Sequence, residues 1–481
     1  MRTDLAGNAR YFAGSFVQRS RIADHNQENR WGTWNPIGSR DLRMRSLAIG
    51  LASAFGAAGA TTWSAESLAT TRYVQNCLDS GAGSLRDTVA ASGNGDIVSL
   101  GANLPCSTIT LSSGAIKITQ PTLYLTGPGA NVLSISAGGD FGVLRHYGAG
   151  KLAIEGLTIS EGKYVSATAP RGGCVYSTSN VTLVDSTVAN CAVEGTDNAE
   201  ARGGGVYAHG TIGMRNSTIT GNVALGTAAG SRGGGVFLEG TLVAIDSVFS
   251  DNEAAVGPVA AGFSQGGALW VTGTTYLRGS LVSGNRAEVA AAIGTQPLVA
   301  ASALGIVNST ISENVAAFKF AGIYTKVPLT LSNSTVAFNV APAGGAVYSV
   351  SRPLKLESSI IADNVIGGLQ GDLDGALNPP LSGYNNLITS STIGFPPGTI
   401  TSCPKLGPLA SNGVGAMKTH ALLGNSPAID AGYDPHHLQT DQRGPGFPRT
   451  AGTTTDIGAF ERQGGTDDRV SVHGFEPVCD H

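Results

Sequence analysis

The chain has 481 residues, of which 41% are hydrophobic and only 13% are charged. This apolar content is too high for a disordered protein, and 68 glycines are typical of a chain with many tight turns. The formal net charge of −4 and the lack of a dense block of lysine and arginine argue against a nucleic-acid partner. The length allows several domains, but one elongated repeat fold can use most of it.

The first 60 residues are interpreted as a targeting region. Arg43 and Arg45 precede an apolar run from Leu47 to about Ala58 that ends in small residues, which is typical of a secretory signal peptide. The run is too short to span a membrane, so we expect no transmembrane segment in the mature chain. We assign residues 44–60 to the signal peptide and 1–43 to an upstream leader or a mis-assigned start. The mature protein would then be extracellular, at the cell surface or in the periplasm.

Residues 66–150 are predicted to form an N-terminal cap and the first coils of a solenoid. Gly83 and Ser84 begin an amphipathic helical pattern that continues to Ala91. A helix before the first coil is a suitable cap, because an open solenoid end exposes unpaired backbone and apolar core.

A seven-residue pattern recurs through residues 151–394 at intervals of 25 to 33 residues. Its clearest copy is NSTITGN at residues 216–222. The closing position is asparagine in six copies: Asn222, Asn252, Asn285, Asn314, Asn339 and Asn364. A fixed period of this length indicates stacked supersecondary units. We predict that the six amides stack as a structural hydrogen-bond ladder, because buried amides must find partners.

Three strand-like pieces accompany each repeat. Apolar residues two apart precede the motif, the motif itself alternates with the opposite parity, and a glycine run with a third strand follows. This pattern predicts an all-β fold: a single right-handed parallel β-helix with three short strands per coil of about 25–33 residues, capped at both ends.

A second set of residues recurs around the glycine runs. One arginine immediately precedes each of three runs, and an aromatic residue follows five positions later: Arg171, Arg202 and Arg232, with Tyr176, Tyr207, Phe237 and, in the next coil, Trp270. The adjacent aliphatic residues are expected to point inward, which turns the rings outward. Stacked like charges need an anionic partner. Glu194, Asp197 and Glu200 could supply it from within, or the row could bind an acidic polysaccharide through guanidinium forks and ring stacking.

Residues 395–461 are predicted to form a C-terminal cap, followed by a flexible tail at 462–481. The densest polar cluster of the chain lies in this region: Asp430, Asp441, Arg443 and Asp456. We expect a buried network in which Arg443 satisfies two carboxylates. A calcium site is the alternative, since clustered carboxylates suit a hard cation, but metal-site spacing is missing and we assign no metal.

Cysteines of an exported chain commonly form disulfides, and the six cysteines here allow 15 pairings. Nearness in sequence favours Cys77 with Cys106 and Cys174 with Cys191, which leaves Cys403 with Cys479. CxxC spacing is missing, so zinc is not expected.

The motifs carry a resemblance. GSLRD at residues 83–87, the glycine runs and FSDN at 249–252 resemble exported bacterial β-helix proteins with polymorphic-outer-membrane-protein-type repeats. NSPAIDAG, DQRG and DIGAFE, starting at residues 425, 441 and 456, are similar to the C-terminal region of the choice-of-anchor class. The resemblance spans about residues 72–461 and implies export and the β-helix fold, but not a specific activity.

The sequence favours a secreted or cell-surface protein that acts in adhesion or binds extracellular polysaccharide or cell-surface glycan without catalysis. The alternative is a polysaccharide lyase or glycoside hydrolase acting on an acidic polysaccharide. Acidic residues such as Asp246 and Asp363 mostly occupy repeat positions that other coils fill with small polar residues, so they are weak evidence for a catalytic site. We therefore assign no catalytic residue.

Overall fold

A computed structural model describes residues 69–463 except 102, 258–261, 377–378, 414 and 416. The predicted signal peptide, the leader and Cys479 lie outside the described residues, as does all of the predicted tail except Arg462 and Gln463. The described chain forms a single right-handed parallel β-helix, as the repeat predicted. Among the described residues, three sheets run along its length, and successive coils contribute strands to them. Their strands are parallel except for one antiparallel pair in the third sheet, Val365–Ile366 with Leu369–Gln370.

The first sheet has 20 strands. They are Thr71–Tyr73, Ile97–Ser99, Ile116–Ile118, Thr122–Thr126, Leu144–His146, Lys151–Glu155, Val175–Ser177, Asn180–Val184, Val206–Arg215, Val236–Ile245, Leu269–Thr272, Thr275–Arg278, Ile293–Gln296, Leu304–Val307, Ile323–Thr325, Leu329–Ser332, Val347–Val350, Leu354–Glu357, Leu373–Ala376 and Leu381–Ser382.

The second sheet has 11 strands and carries the repeat motif. They are Thr108–Thr110, Ser134–Ser136, Thr158–Ser160, Thr187–Ala189, Thr218–Thr220, Val248–Ser250, Leu281–Ser283, Thr310–Ser312, Thr335–Ala337, Ile360–Ala362 and Leu387–Ile388.

The third sheet has 12 strands. They are Lys163–Ser166, Ala192–Gly195, Ala201–Arg202, Val223–Gly226, Ser231–Arg232, Glu253–Val256, Ser264–Gln265, Arg286–Val289, Val315–Lys319, Val340–Ala341, Val365–Ile366 and Leu369–Gln370. Two further strands, Leu406–Ala410 and Thr419–Leu422, pair antiparallel with each other.

Left-handed backbone makes the corners between the sheets. Asn216 and Gly221 have φ values of 48° and 64°, on either side of the strand Thr218–Thr220. Asparagine, aspartate and glycine tolerate this region best, which explains why they dominate these two positions of the repeat. The corners reverse the buried parity, so Ser217 and Ile219 both face inward.

The core fills the space between the sheets with aliphatic side chains from every coil, such as Val206, Leu242 and Ile219. The helix Leu85–Ala90 lies where it was predicted, and its N-cap Ser84 accepts the backbone N–H of Asp87 at 3.2 Å. Its residues Leu85 and Val89 are buried in the same core, so the helix covers apolar residues of the first coils.

The C-terminal region differs from the prediction of a terminal cap. Residues 389–400 close the end of the stack, where Ser391 and Ile400 pair with Leu373 and Leu387. Residues 405–462, which we call the flank segment, instead lie against the side of the second sheet. Their contacts reach back along five strands, from a bond to the Ser280 carbonyl as far as Leu387. The segment lacks the repeat period, so its lateral position was not apparent.

Two of the predicted disulfides are confirmed: Cys77 with Cys106, and Cys174 with Cys191. The third predicted pair includes Cys479, outside the described residues. Within the part of the chain that the structure describes, no helix is both long enough and apolar enough to cross a membrane.

Candidate functional site

Glycines position the arginines at the edge between the third and first sheets. Gly172, Gly203 and Gly233, which directly follow the three arginines, have φ values of 62°, 69° and 67°. A Cβ atom at Gly203 would lie 2.3 Å from the Val206 carbonyl oxygen, so this sharp corner requires glycine. Arg202 and Arg232 therefore end their third-sheet strands immediately before the turn, and Arg171 forms an isolated bridge to Arg202 at the equivalent position.

These positions stack in register along the helix axis. Arg171 pairs with Arg202, and Arg202 with Arg232. The pairing continues through Gln265 and Val289 to Lys319. We call this series the edge row: Arg171, Arg202, Arg232, Gln265, Val289 and Lys319.

The aromatic residues form a second row on the neighbouring outer face of the first sheet. The strand pairing aligns eight residues, one from each successive coil, in this row: Arg145, Tyr176, Tyr207, Phe237, Trp270, Gly294, Tyr324 and Tyr348. Rings on successive coils are nearly parallel: Tyr176 and Tyr207 are 5.5 Å apart at 11°, and Tyr207 and Phe237 are 5.5 Å apart at 4°.

The prediction that these rings form an exposed platform is wrong for three of the four. Tyr207, Phe237 and Trp270 point away from the core but are each only 2% exposed. The reason is an offset of one coil, because each guanidinium group lies over the ring of the following coil. The distances to the ring centroids are 5.0 Å for Arg171 and Tyr207, 5.0 Å for Arg202 and Phe237, and 5.2 Å for Arg232 and Trp270. Neighbouring rings and guanidinium groups thus cover these rings from solvent. Tyr176 remains partly exposed.

Carboxylates neutralise the middle of the edge row. Glu200 pairs with Arg202 at 2.6 Å and with Arg232 at 3.1 Å, and Glu239 pairs with Arg202 at 3.3 Å. Of the internal partners that the sequence suggested, Glu200 takes this role. Glu194 instead pairs with Lys163, and Asp197 is exposed. Burial and the nearby Glu239 raise the pKa of Tyr207 to about 12, so the phenol stays neutral.

The N-terminal end of the aromatic row is different. Arg145 is 5% exposed, and its Nη1 donates to the Arg171 carbonyl at 2.5 Å, while its Nη2 has no hydrogen-bond partner. Its guanidinium lies 3.7 Å from the Tyr164 ring centroid and 5.4 Å from that of Tyr176. Burial lowers the pKa of Arg145 to about 10, so it remains charged at neutral pH.

The charge of this end is not balanced within the described chain. Lys117 is exposed and pairs in register with Arg145 on the preceding coil. None of Lys117, Arg145 and Arg171 forms an ion pair with a carboxylate of the described residues. Tyr147, 51% exposed, lies 5.6 Å from Tyr176. We call Lys117, Arg145, Tyr147, Arg171 and Tyr176 the basic end.

Sequence reasoning missed Arg145, Tyr147 and Lys117. The signal was the spacing: Arg145 stands 31 residues before Tyr176, one coil earlier. In this coil the glycine run is reduced to Gly142 before Val143 and Leu144, so the pattern was not recognised.

The six asparagines form the ladder inside the solenoid. Each side-chain Nδ2 donates to the Oδ1 of the next asparagine, at 2.8 to 3.0 Å from Asn222 to Asn364. Asn364 donates to Asp372 Oδ1 at 2.9 Å, and the Cys191 backbone N–H donates to Asn222 at the other end. All six amides are fully buried, so this row contributes to folding and is inaccessible to a ligand.

The C-terminal polar cluster lies in the flank segment. Arg443 pairs with Asp441 at 2.7 Å, both buried, with its guanidinium 3.8 Å from the Phe460 ring centroid. Asp456 accepts the backbone N–H of Asp430, and Asp430 accepts that of Thr453, each at 2.7 Å.

Glu461 and Arg449, which the prediction missed, complete this network. Glu461 accepts the Asp456 backbone N–H, and its own N–H donates to Asp441, each at 2.8 Å. Arg449 is 1% exposed and donates to the carbonyls of Asp456 and Gly458 at 2.7 and 2.8 Å. The cluster is thus a packing network of the flank segment. Among the described residues, no three histidine, cysteine or acidic side chains converge as metal ligands would.

Comparison with known proteins gives little beyond the architecture. No family model matches the chain, and no curated protein matches it. A solved structure described as the crystal structure of pectate lyase Pel9A is similar, with 13% sequence identity and a TM-score of 0.48 over 82% of this chain and 96% of that chain. A likeness of this size bears on neither substrate nor reaction. The resemblance to exported repeat proteins is confirmed for the parallel β-solenoid fold, whereas membership of that family has no further support.

Proposed function

We propose that the protein is an exported, non-catalytic binding protein for an acidic extracellular polysaccharide, which it holds at the basic end. The observation that carries this proposal is the charge imbalance of Lys117, Arg145 and Arg171 beside the partly exposed rings of Tyr147 and Tyr176. A buried guanidinium with an unsatisfied N–H is costly unless an anion or water answers it.

The chemistry of the basic end favours a uronate chain. Guanidinium groups bind carboxylates through paired N–H donors, and tyrosine rings offer flat apolar faces to the C–H side of a sugar. Successive coils repeat about every 4.8 Å, so basic and aromatic groups are presented periodically along the axis. The two disulfides fit the oxidising surroundings in which such a polymer occurs.

The middle of the edge row contributes less to binding than the sequence suggested. Arg202 and Arg232 are engaged by Glu200 and Glu239, and Phe237 and Trp270 are covered. A polyanion gains little from charges that are already paired, because it must displace an internal carboxylate first. The binding role therefore belongs to Arg171 and Tyr176 of the predicted set, together with Arg145, Tyr147 and Lys117.

The proposal is tested by retention of the mature protein on immobilised pectate or alginate over a salt gradient. The double variant Lys117→Gln/Arg171→Gln should elute at clearly lower salt than wild type. Arg215→Gln/Arg278→Gln is the matched control, because it removes the same charge from two exposed arginines on the opposite edge of the first sheet. Equal retention of wild type and the first variant would refute the site.

The polysaccharide used in the retention experiment also tests the alternative that the protein is a lyase or glycoside hydrolase. A lyase would release unsaturated uronides, and a glycoside hydrolase would release new reducing ends, from the polymer that it binds. We expect the bound polymer to be recovered at its original length. Chain shortening by wild type that disappears in Lys117→Gln/Arg171→Gln would replace the non-catalytic proposal with an enzyme.

A further inference from the structure

We propose a second sugar subsite on the same edge, formed by Phe263, Phe318 and Lys319, so that a polysaccharide chain must be long enough to reach both. This inference rests on the proposed function, because it assumes that the basic end holds one part of the chain. It assigns a length requirement to the ligand and a role to residues that the sequence did not single out.

The two phenylalanines form an exposed aromatic platform. Phe263 is 51% exposed and Phe318 is 44% exposed, and their ring centroids are 5.6 Å apart with planes inclined by only 13°. Lys319 Nζ lies over the Phe318 ring, 4.8 Å from its centroid. Large apolar rings held parallel and left in water mark a contact surface, and a sugar ring matches their shape and size. The adjacent lysine supplies a cation for a uronate carboxylate.

Continuity with the edge row indicates the occupant. Phe318 directly precedes Lys319, the last member of the edge row, and Phe263 lies two residues before Gln265, also a member. Both rings therefore project beside the axial row that starts at Arg171. Aromatic rings thus lie beside both ends of the edge row, with the ion-paired Arg202 and Arg232 between them. They are Tyr147 and Tyr176 at the basic end and Phe318 at the other end.

The spacing follows from the register. Three coil steps separate Arg171 from Gln265, and five separate it from Lys319. At about 4.8 Å per step, the two subsites lie roughly 14–24 Å apart along the axis. Glu288 is an acidic side chain beside this span, and it accepts the Ser264 backbone N–H at 2.8 Å, which engages it in the local turn.

Two linked subsites predict a length threshold. An oligosaccharide that reaches only one subsite binds with the affinity of that subsite. A longer chain makes the second contact intramolecular, so its affinity rises by more than the added sugars alone would give, commonly by about 10²–10⁴-fold when the geometry allows. We expect a rise of at least about tenfold here, since a single ring pair is a modest contact.

The experiment is calorimetric titration of size-fractionated oligouronates, from disaccharides upward, into the full mature chain. Wild type should show a step in affinity once the oligomer spans both subsites. Phe263→Ala/Phe318→Ala should lose the step and keep wild-type affinity for short oligomers at the basic end. Leu298→Ala/Val299→Ala is the matched control, because it truncates another exposed apolar pair, 58% and 60% exposed. This pair lies in the loop between the first-sheet strands Ile293–Gln296 and Leu304–Val307 and is not part of the edge row.

The outcomes separate the two proposals. An unchanged step in Phe263→Ala/Phe318→Ala, or a smooth rise with length in wild type, would overturn the second subsite and leave the basic end standing. If wild type binds no oligomer of any length, the proposed function and this inference are both refuted. Both phenylalanines are exposed, so we expect the variant to fold, and an unchanged melting temperature verifies it.

Discussion

The outer face of the second sheet has an open part and a covered part, built from the same repeat. In the first six strands, from Thr108–Thr110 to Val248–Ser250, the outward positions are mostly threonine and serine in contact with solvent. In the last five, from Leu281–Ser283 to Leu387–Ile388, Ile360 and Leu387 occupy the equivalent positions and are buried under the flank segment.

The difference shows which parts of a repeat are fixed by the fold and which by local surroundings. Inward positions such as Ile219 and Ile311 stay apolar throughout, because every coil encloses the same core. Outward positions depend on what covers them. They are mostly hydroxyl residues where water does. Where residues 405–462 do, they are either apolar, such as Ile360, or buried hydroxyl residues hydrogen-bonded to the flank segment, such as Thr310 and Ser312. The covered part therefore depends on contacts between residues far apart in sequence.

The largest expected effect removes the arginine that fixes the flank segment. Arg443→Ala leaves the buried Asp441 without its partner and removes the cation from between Phe447 and Phe460. Removing one member of a buried pair costs about 3–5 kcal/mol, and we expect that loss in the free energy of unfolding measured with urea. Arg215→Ala, at an exposed site, is the control. A melting temperature equal to wild type would show that the pair is solvated in solution and that the covered part does not rely on it.

A direct comparison of the two parts uses one register row. Val248 and Ile360 occupy the same outward position on different strands, but only Ile360 is fully buried, between the sheet and the flank segment. Ile360→Ala should destabilise the protein by about 2–5 kcal/mol, because it leaves a cavity. Val248→Ala should cost under about 1 kcal/mol, because its side chain is only partly buried. Equal losses in chemical denaturation would remove the distinction between the open and covered parts.

Periodicity explains what could be predicted. The asparagine positions and the glycine runs repeat with the coil, so their spacing predicted the β-helix and its register. Nearness in sequence predicted two disulfides. The exposure of an outward side chain does not follow from register. Tyr207 and Trp270 are covered because each arginine reaches the ring of the next coil, and that offset depends on side-chain conformation.

The flank segment and the basic end were harder to predict for different reasons. Residues 405–462 have no repeat, so their position against strands more than 100 residues earlier, as in the bond between Thr310 and Gln442, leaves no local pattern. Arg145 is part of the repeat, but its glycine run is shortened. The role that we propose for it rests on a charge without an ion-pair partner among the described residues, and this depends on where every nearby carboxylate lies.

The smallest expected effect concerns pH and compares two equivalent corner residues. Asp363, in the covered part, is buried beside Asp372, and burial together with that neighbour raises its pKa to about 7. Asp251 fills the same repeat position in the open part and is exposed. Between about pH 4 and 7 the unfolded chain releases the Asp363 proton while the folded chain keeps it. Folding stability contributed by this group therefore falls as pH rises through that window.

Asp363→Asn removes the titrating group and keeps the side-chain shape. The variant should gain on the order of 1–2 kcal/mol over wild type at pH 8, and much less at pH 4, in urea denaturation at each pH. Asp251→Asn, the same change at the exposed equivalent position, is the control. A gain for Asp363→Asn that is the same at both pH values would mean that Asp363 does not stay protonated in the folded protein. The pH dependence of the covered part would then have to come from other buried carboxylates, of which Glu461, with a pKa raised by burial to about 7, is the first to test.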